Sequence, residues 1–362
     1  MEDPLLQSFQ LKHLHLKNRI ITTSHEPAYN EDGFPKDRYI AYHLERAKGG
    51  IAMTMTAGSA VVSKDSPPSF DNIHAYKDEV VPWIKKLTDT IHDHDCKIMI
   101  QLTHLGRRTS WSKGDWLPSL SSGKHREPAH KAFPKVMESW DIERIIKEYG
   151  DAAERMKEGG MDGVELEGQG HLIGQFLSPL TNELSTEYGG SLENRLRFTI
   201  DVLSDIRKKV GQDFIVGIRC VFDEVEEGGI SKSEGLKIAK LLSDSGLVDY
   251  LNVNKGRIHT DPILTKHIPI QGMKSAPHLE FAGEIKKEIQ LPIFHASKIS
   301  DVATARYAIS NGLVDMIGMT RGHLADPHIV TKIKEKREDE IRPCVGATYC
   351  LDRIYQGEEA LC

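Results

Sequence analysis

FIVGIRCVFDEVEEGGISKSEGLKIAKLLSDSGLVDYLNVN, residues 214–254, carries the pattern that decides the fold. Phe214 to Arg219 is a short apolar run with β-branched residues, as a buried strand requires. Ser231 and Ser233, each with an acidic residue close behind, then open an amphipathic segment over Ser233 to Ser243 that closes near a glycine; these are helix start and stop signals. Tyr250 to Asn254 is a second strand-like run. Strand, helix and strand in this order set a βα rhythm.

The same rhythm runs outward in both directions. The other candidate strands are Arg19 to Thr23, Ile51 to Thr56, Lys97 to Thr103, Gly163 to Leu166, Pro292 to His295 and Asp315 to Met319. Helical patterns accompany them at Asp37 to Lys48, Val80 to Asp93, Asp141 to Glu158, Leu192 to Lys209, His278 to Ile289, Asp301 to Ser310 and Pro327 to Lys336. Eight strands each followed by a helix describe a (β/α)8 TIM barrel. No Gly-x-Gly-x-x-Gly turn follows the first strand, as a doubly wound dinucleotide fold would have it. The barrel is expected over residues 1–340 and a cysteine-containing segment over 341–362. Two irregular stretches, His104 to Trp140 and Gly256 to Ala276, follow the third and sixth strands and are expected as long loops at the C-terminal face, where barrel active sites sit.

Composition narrows the function classes. In 362 residues, 47 Lys and Arg stand against 53 Asp and Glu, a net charge of −6 without any basic block, which argues against a nucleic-acid footprint. No apolar run is long enough for a membrane span. Met1-Glu2-Asp3-Pro4 lacks the basic and apolar regions of a secretory signal, so a cytoplasmic protein is expected. Five cysteines in a chain of this size do not make a disulfide scaffold, yet Cys344, Cys350 and Cys362 crowd the last nineteen residues.

Polar residues gather at the expected C-terminal ends of the strands. They are Ser24, His25 and Glu26 after strand one; Gln101 and His104 around strand three; Glu167, Gln169 and His171 after strand four; and Arg219 ending strand five. Asn254, Lys255 and Arg257 follow strand six, Ser297 and Lys298 strand seven, and Thr320 and Arg321 strand eight. One such residue is an ordinary loop polar group; seven strands of eight delivering them to one face describe a site. The ends of strands seven and eight are the usual phosphate corner of a barrel, so a phosphorylated cofactor or substrate is indicated.

Four runs then carry a resemblance: Asn18-Arg19-Ile20, Gln101-Leu102-Thr103-His104-Leu105-Gly106-Arg107, Tyr188-Gly189-Gly190-Ser191-Leu192-Glu193-Asn194-Arg195 and Leu324-Ala325-Asp326-Pro327. In order and spacing the chain resembles the old yellow enzyme family. Its cysteine-bearing end is similar to the branch containing trimethylamine dehydrogenase and 2,4-dienoyl-CoA reductase. Thr23 to Tyr29 and Cys344 to Cys350 look most like the N-methylproline demethylases of proline-betaine breakdown. The resemblance implies an FMN barrel that moves hydride through flavin N5. It places Gln101 at the flavin pyrimidine edge, Arg219 opposite N1 and O2, and Ala57, Gly58, Ser24 and His25 near the ring. Ser297, Lys298, Thr320 and Arg321 match the phosphate clamp.

Departures from the family restrict the chemistry. Glu26 stands where the covalent relative has its flavin-tethering cysteine, which implies noncovalent FMN. The stretch Glu167-Gly168-Gln169-Gly170-His171 is shorter than the one that carries the ene-reductase carbonyl-holding pair, so Glu26, Glu167 and His171 are the expected catalytic acid/base set for an ammonium substrate. Gln169, Lys255, Arg257 and His259 are expected on the substrate, the cations meeting a carboxylate. Cys344, Cys350 and Cys362 are candidate metal ligands, but Ala347 takes the place of a fourth cysteine. A three-ligand iron-sulfur cluster, a cluster with a noncysteine ligand, a zinc site and no metal all stay open. The expected reaction is oxidative N-demethylation of a small N-methylated amino acid, with NAD(P)H-dependent enoate reduction and a flavin electron-transfer module as alternatives. Relatives of this branch continue into a nucleotide-binding half, so an electron-acceptor protein or such a half is the expected partner. Self-association stays open.

Overall fold

The structure, a computed structural model, describes residues 3–66, 70–109 and 117–362. Among these residues eight parallel strands close into a barrel: β1 (Ile20–Ile21), β2 (Met53–Val61), β3 (Lys97–Thr103), β4 (Gly163–Gly168), β5 (Ile215–Val221), β6 (Tyr250–Asn254), β7 (Ile293–His295) and β8 (Met316–Gly318). Each strand pairs with the next in the chain, and β8 closes the ring on β1 through Ile317 opposite Ile20. Around them run α1 (Asp37–Lys48), α2 (Val81–His92), α3 (Ser139–Glu158), α4 (Leu192–Val210), α5 (Lys232–Asp244), α6 (Leu279–Glu288), α7 (Val302–Ser310) and α8 (Ile329–Lys334). This is the (β/α)8 architecture that the alternation predicts.

Helix starts follow the local chemistry. The Ser231 hydroxyl accepts the Glu234 amide at the head of α5, and Asp301 does the same for Thr304 at the head of α7, each satisfying an amide that the helix leaves open. Strand β1 is shorter than its apolar run because Thr23 leaves the ladder: its amide donates to the Thr320 hydroxyl at 2.9 Å. Strand β2 runs on to Val61, past a register irregularity between Thr56 and Ala60. The loop expected as irregular over Gly256 to Ala276 instead contains a helix, Asp261–His267, with proline in its first turn, where the missing amide costs nothing. The long loop after β3 holds a two-stranded pair, Leu120–Ser121 with Lys135–Val136. Among the described residues no helix is long and apolar enough to cross a membrane.

Two apolar layers hold the barrel. One fills the space between strands and helices. The other lies inside the strand ring, where Met53, Met55, Met99, Ile215, Tyr250 and Phe294 pack together. It is stoppered by an antiparallel hairpin, Phe9–Leu11 with Leu14–Leu16, whose Leu11, Leu14 and Leu16 are buried in the same cluster. Tyr250 and Phe294 stack at 4.0 Å between ring centroids. Gly217 makes room for them, since a Cβ there would lie 2.1 Å from Tyr250 Cζ. Gly217→Ala is therefore expected to destabilise the protein by about 1–3 kcal/mol through overpacking, read as a lowered urea midpoint at constant slope. An unchanged midpoint would show that the stacked rings move aside freely.

Candidate active site

Above the apolar stopper the barrel interior turns polar. Glu165 on β4, fully buried, accepts hydrogen bonds from Gln101 Nε2 on β3 at 2.8 Å and from Asn252 Nδ2 and the Tyr250 hydroxyl on β6 at 2.9 and 3.0 Å. Burial raises its pKa, and the nearby Arg219 charge opposes that rise. Because Gln101 spends its amide hydrogens on Glu165, its Oε1 is left buried without a hydrogen-bond partner among the described residues. It stands as a fixed acceptor on a cavity wall.

A cavity of about 280 Å³ opens over the ends of β1, β7 and β8. It brings together Ser24, His25, Arg219, Ser297, Lys298, Thr320 and Arg321 from separate strand ends. Each is positioned by a neighbour. Thr320 Oγ1 lies 2.7 Å from the Thr23 hydroxyl, Ser297 Oγ lies 3.2 Å from His278 Nδ1, and Lys298 Nζ donates to the Met273 carbonyl. Arg321 donates one hydrogen bond to the Pro269 carbonyl at 2.9 Å, while its Nη1 is buried with no partner among the described residues. A guanidinium donor held open beside a lysine and two hydroxyls suits an anion. Burial, together with the charges of Arg46 and Arg321, lowers His25 to about 4 and keeps it neutral. These groups fit FMN in chemistry: Lys298 and Arg321 would suit its phosphate, and Arg219 and the Gln101 acceptor its pyrimidine edge. Ala57 and Gly58 fall at the irregularity of β2, and their side chains lie outside the described residues.

A second cavity, of about 190 Å³, adjoins the first and shares Ser24, His25 and Arg219 with it. Glu26, Glu167, Gln169 and His171 all reach its wall. Glu167, one residue before the end of β4, lies directly opposite Arg219 in the β4–β5 ladder, and its Oε1 accepts the Gln169 amide at 2.6 Å. Burial raises it to about 8, against the opposing charge of Arg219. Glu26 is likewise pushed well above the usual carboxyl range by burial; one oxygen accepts the Ala28 amide at 2.9 Å and the other has no partner among the described residues. His171 is held neutral. Burial first, and then the charges of Arg108, His130 and His104, hold it well below its ordinary pKa, and its Nδ1 meets the Thr103 hydroxyl at 3.0 Å. It is a neutral hydrogen-bonding group in this setting.

The cations expected to meet a substrate carboxylate lie elsewhere. Lys255 pairs with Asp223 at 2.8 Å, and Arg257 pairs with Glu224 and Glu226 at 3.3 and 2.6 Å. His259 sits 3.6 Å from the same Glu226. Arg257 and His259 face a separate small pocket. Instead Arg108, Phe70 and Tyr355 complete the second cavity. A doubled arginine, Arg107-Arg108, just past the β3 end was the available signal for the first of them. Cys344 and Cys350 line the first cavity, and Cys362 is close enough to help raise the Cys350 thiol, after burial. Among the described residues no group of three or more His, Cys, Asp or Glu side chains is placed to hold a metal ion.

Residues 4–340 match the NADH:flavin oxidoreductase / NADH oxidase family. The chain is 67% identical over 360 residues to a probable N-methylproline demethylase of Rhizobium meliloti (strain 1021), covering 99% of this chain and 53% of that protein. It is 48% identical to a multifunctional alkene reductase/demethylase of Caballeronia cordobensis, covering 96% and 51%. The chain thus spans about half the length of the curated relatives it matches. Among solved structures, a 2-naphthoyl-CoA reductase superposes with a TM-score of 0.93 at 26% identity, over 100% of this chain and 57% of that one. For the phosphate corner, Arg321→Ala is expected to weaken FMN binding by on the order of 10- to 100-fold, the loss of one hydrogen bond to a charged group. Quenching of flavin fluorescence on titration measures it, and an unchanged affinity would place the phosphate away from Arg321.

Proposed function

The chain belongs to the NADH:flavin oxidoreductase / NADH oxidase family and is an FMN-dependent oxidoreductase, and on that footing we propose that it catalyses oxidative N-demethylation of a small N-methylated amino acid such as N-methylproline. The observation that carries this reading is the pair of buried carboxyls on the cavity that adjoins the flavin-fitting one: Glu26, with one oxygen lacking a partner among the described residues, and Glu167, whose oxygens accept from Gln169. Such groups, once ionised, suit a cationic amine. The Rhizobium relative, with its demethylase name, supports it. FMN would be held noncovalently, since Glu26 stands at the tethering position.

When bound, FMN supplies a hydride acceptor. The residues prepare the substrate. An N-methyl ammonium has no free lone pair, so it cannot release hydride from its methyl carbon until the proton leaves. Glu167, ionised, attracts the cation and takes that proton; His171 and Gln169 orient it as neutral partners, and Glu26 closes the side next to the first cavity. Loss of hydride from the methyl group leaves an iminium, which water splits to formaldehyde and the secondary amine. The electrons pass on to an acceptor protein or a further half of the enzyme. The Caballeronia relative, named for both alkene reduction and demethylation, supports one competing reading, enoate reduction. Bleaching of the flavin by N-methylproline alone, under anaerobic conditions and without nicotinamide, favours the demethylase; bleaching only by NAD(P)H favours the reductase.

The pH dependence follows from Glu167. With its pKa raised to about 8 by burial, opposed by Arg219 and Arg108 and reinforced by Glu165, it is protonated below that pH and cannot take the substrate proton. It ionises above. Flavin reduction by N-methylproline in stopped flow is therefore expected to rise with pH through about 8 and level off. Glu167→Gln should abolish the inflection, and His171→Ala should lower the rate while keeping it. An inflection unchanged in Glu167→Gln would remove this residue as the base.

A further inference from the structure

Glu167, the base of the proposed reaction, is held by Gln169, and Gln169 in turn by Asn254 and, through it, His267. Asn254 is the last residue of β6. His267 ends the short helix Asp261–His267 and reaches the walls of both cavities. We propose that Asn254 and His267 are positioning residues for Glu167: through the Gln169 amide they keep an N–H, and not a carbonyl oxygen, turned toward its carboxylate. This deepens the demethylase reading and rests on it for the part Glu167 plays in the reaction.

The backbone sets the direction of the chain. His267 Nδ1 lies 2.9 Å from the Gly256 carbonyl oxygen and 3.2 Å from that of Lys255. Carbonyls only accept, so Nδ1 carries the hydrogen. Burial first, and then the charge of Arg219, lowers the ring to about 3, so it is neutral and its Nε2 is a bare acceptor. Asn254 therefore presents its amide nitrogen there: Nδ2 lies 3.1 Å from His267 Nε2, and its other hydrogen goes to Gln169 Oε1 at 2.7 Å. The Lys255 amide donates to Asn254 Oδ1 at 2.9 Å, which fixes the same orientation from the other side. With its oxygen claimed by Asn254, the Gln169 side chain can offer Glu167 only its nitrogen. That Nε2 lies 3.4 Å from Glu167 Oε2, while the Gln169 backbone amide donates to Oε1 at 2.6 Å. All four side chains are buried, where a misdirected amide is costly. A donor toward the carboxylate favours its ionised form, and a reversed amide would oppose it. The other groups that act on Glu167 or respond to it are Arg219 and Cys220 of β5, Arg108 after β3, Glu165 of its own strand and Tyr149 of α3, with Glu26 and His171 on the same cavity wall. None of them belongs to the chain, and substitutions within it leave them in place.

The test follows the ionisation of Glu167 in the FMN-loaded protein by carbon-13 NMR of carboxyl-labelled glutamate, with the signal assigned by its loss in Glu167→Gln. The pH profile of anaerobic flavin reduction by N-methylproline is measured beside it. Asn254→Ala is expected to raise both midpoints by on the order of one pH unit, as loss of a hydrogen bond to a charged group does, with rates that converge on wild type at high pH. A merely structural role would lower the plateau and leave the midpoints in place. His267→Phe, which keeps a ring but neither nitrogen, should move them in the same direction by less. It reads the chain from its far end if flavin content and melting temperature show that Asn254→Ala has misfolded. In a Gln169→Ala background, Asn254→Ala should add no further shift. An unmoved Glu167 signal in Asn254→Ala and His267→Phe, or a full shift that persists without the Gln169 side chain, would overturn the role of the chain. Glu167 signals that shift as expected in a protein whose flavin N-methylproline reduces at no pH would overturn the demethylase reading and leave the positioning standing.

Discussion

A carboxylate buried at the centre of the barrel is the constraint on which the site depends. Glu165 has no exposure, and a group of this kind is tolerated only when its oxygens are satisfied. Three neighbours on β3 and β6 do this, and the requirement fixes their orientation: Gln101 must turn its amide hydrogens inward, which leaves its carbonyl oxygen facing the cavity. Tyr250 ties the same carboxylate to the apolar layer beneath through its stack on Phe294. The hydrophobic stopper, the polar floor and the cofactor-facing acceptor are thus one connected arrangement, and a shift in any strand register would break it.

The two cavities above this floor share walls but differ in charge. The first collects permanent cations and hydroxyls, as an anionic cofactor demands. In the second, which also contains the guanidiniums of Arg108 and Arg219, burial works against charge on the other ionisable groups: it lifts Glu26 and Glu167 and depresses His171.

Much of this was legible in the sequence. The alternation of apolar runs with capped amphipathic segments located all the barrel strands, and the ends of β3 and β6 were placed to the residue. What was not legible depended on pairings distant in sequence. Lys255 and Arg257 look like free cations in the loop after β6. They are engaged by Asp223, Glu224 and Glu226 because β5 and β6 are ladder neighbours and bring their following loops side by side. The acidic run after β5 was visible, but its partner was not. Arg108 went unassigned because its place on the cavity wall is set by a carbonyl at 258 and a hydroxyl at 355. The neutrality of His171 comes from burial and the surrounding cations, which a motif does not record.

The segment after residue 340 holds a further lesson. Its short helix, Tyr349–Tyr355, supplies Cys350 to one cavity and Ile354 and Tyr355 to the other, with Leu351 on both. Beyond it the Ala360 amide donates to the Pro27 carbonyl at 2.9 Å, and the Ala360 carbonyl accepts the Tyr29 hydroxyl at 2.5 Å, so the end of the chain is stitched to the loop that carries Glu26. The barrel conserves its own geometry through strand pairing, but this strip is bound by only a few side-chain contacts and can change residue by residue without disturbing a single ladder. The walls of both cavities can therefore be altered from this segment while the strand ladders beneath stay fixed.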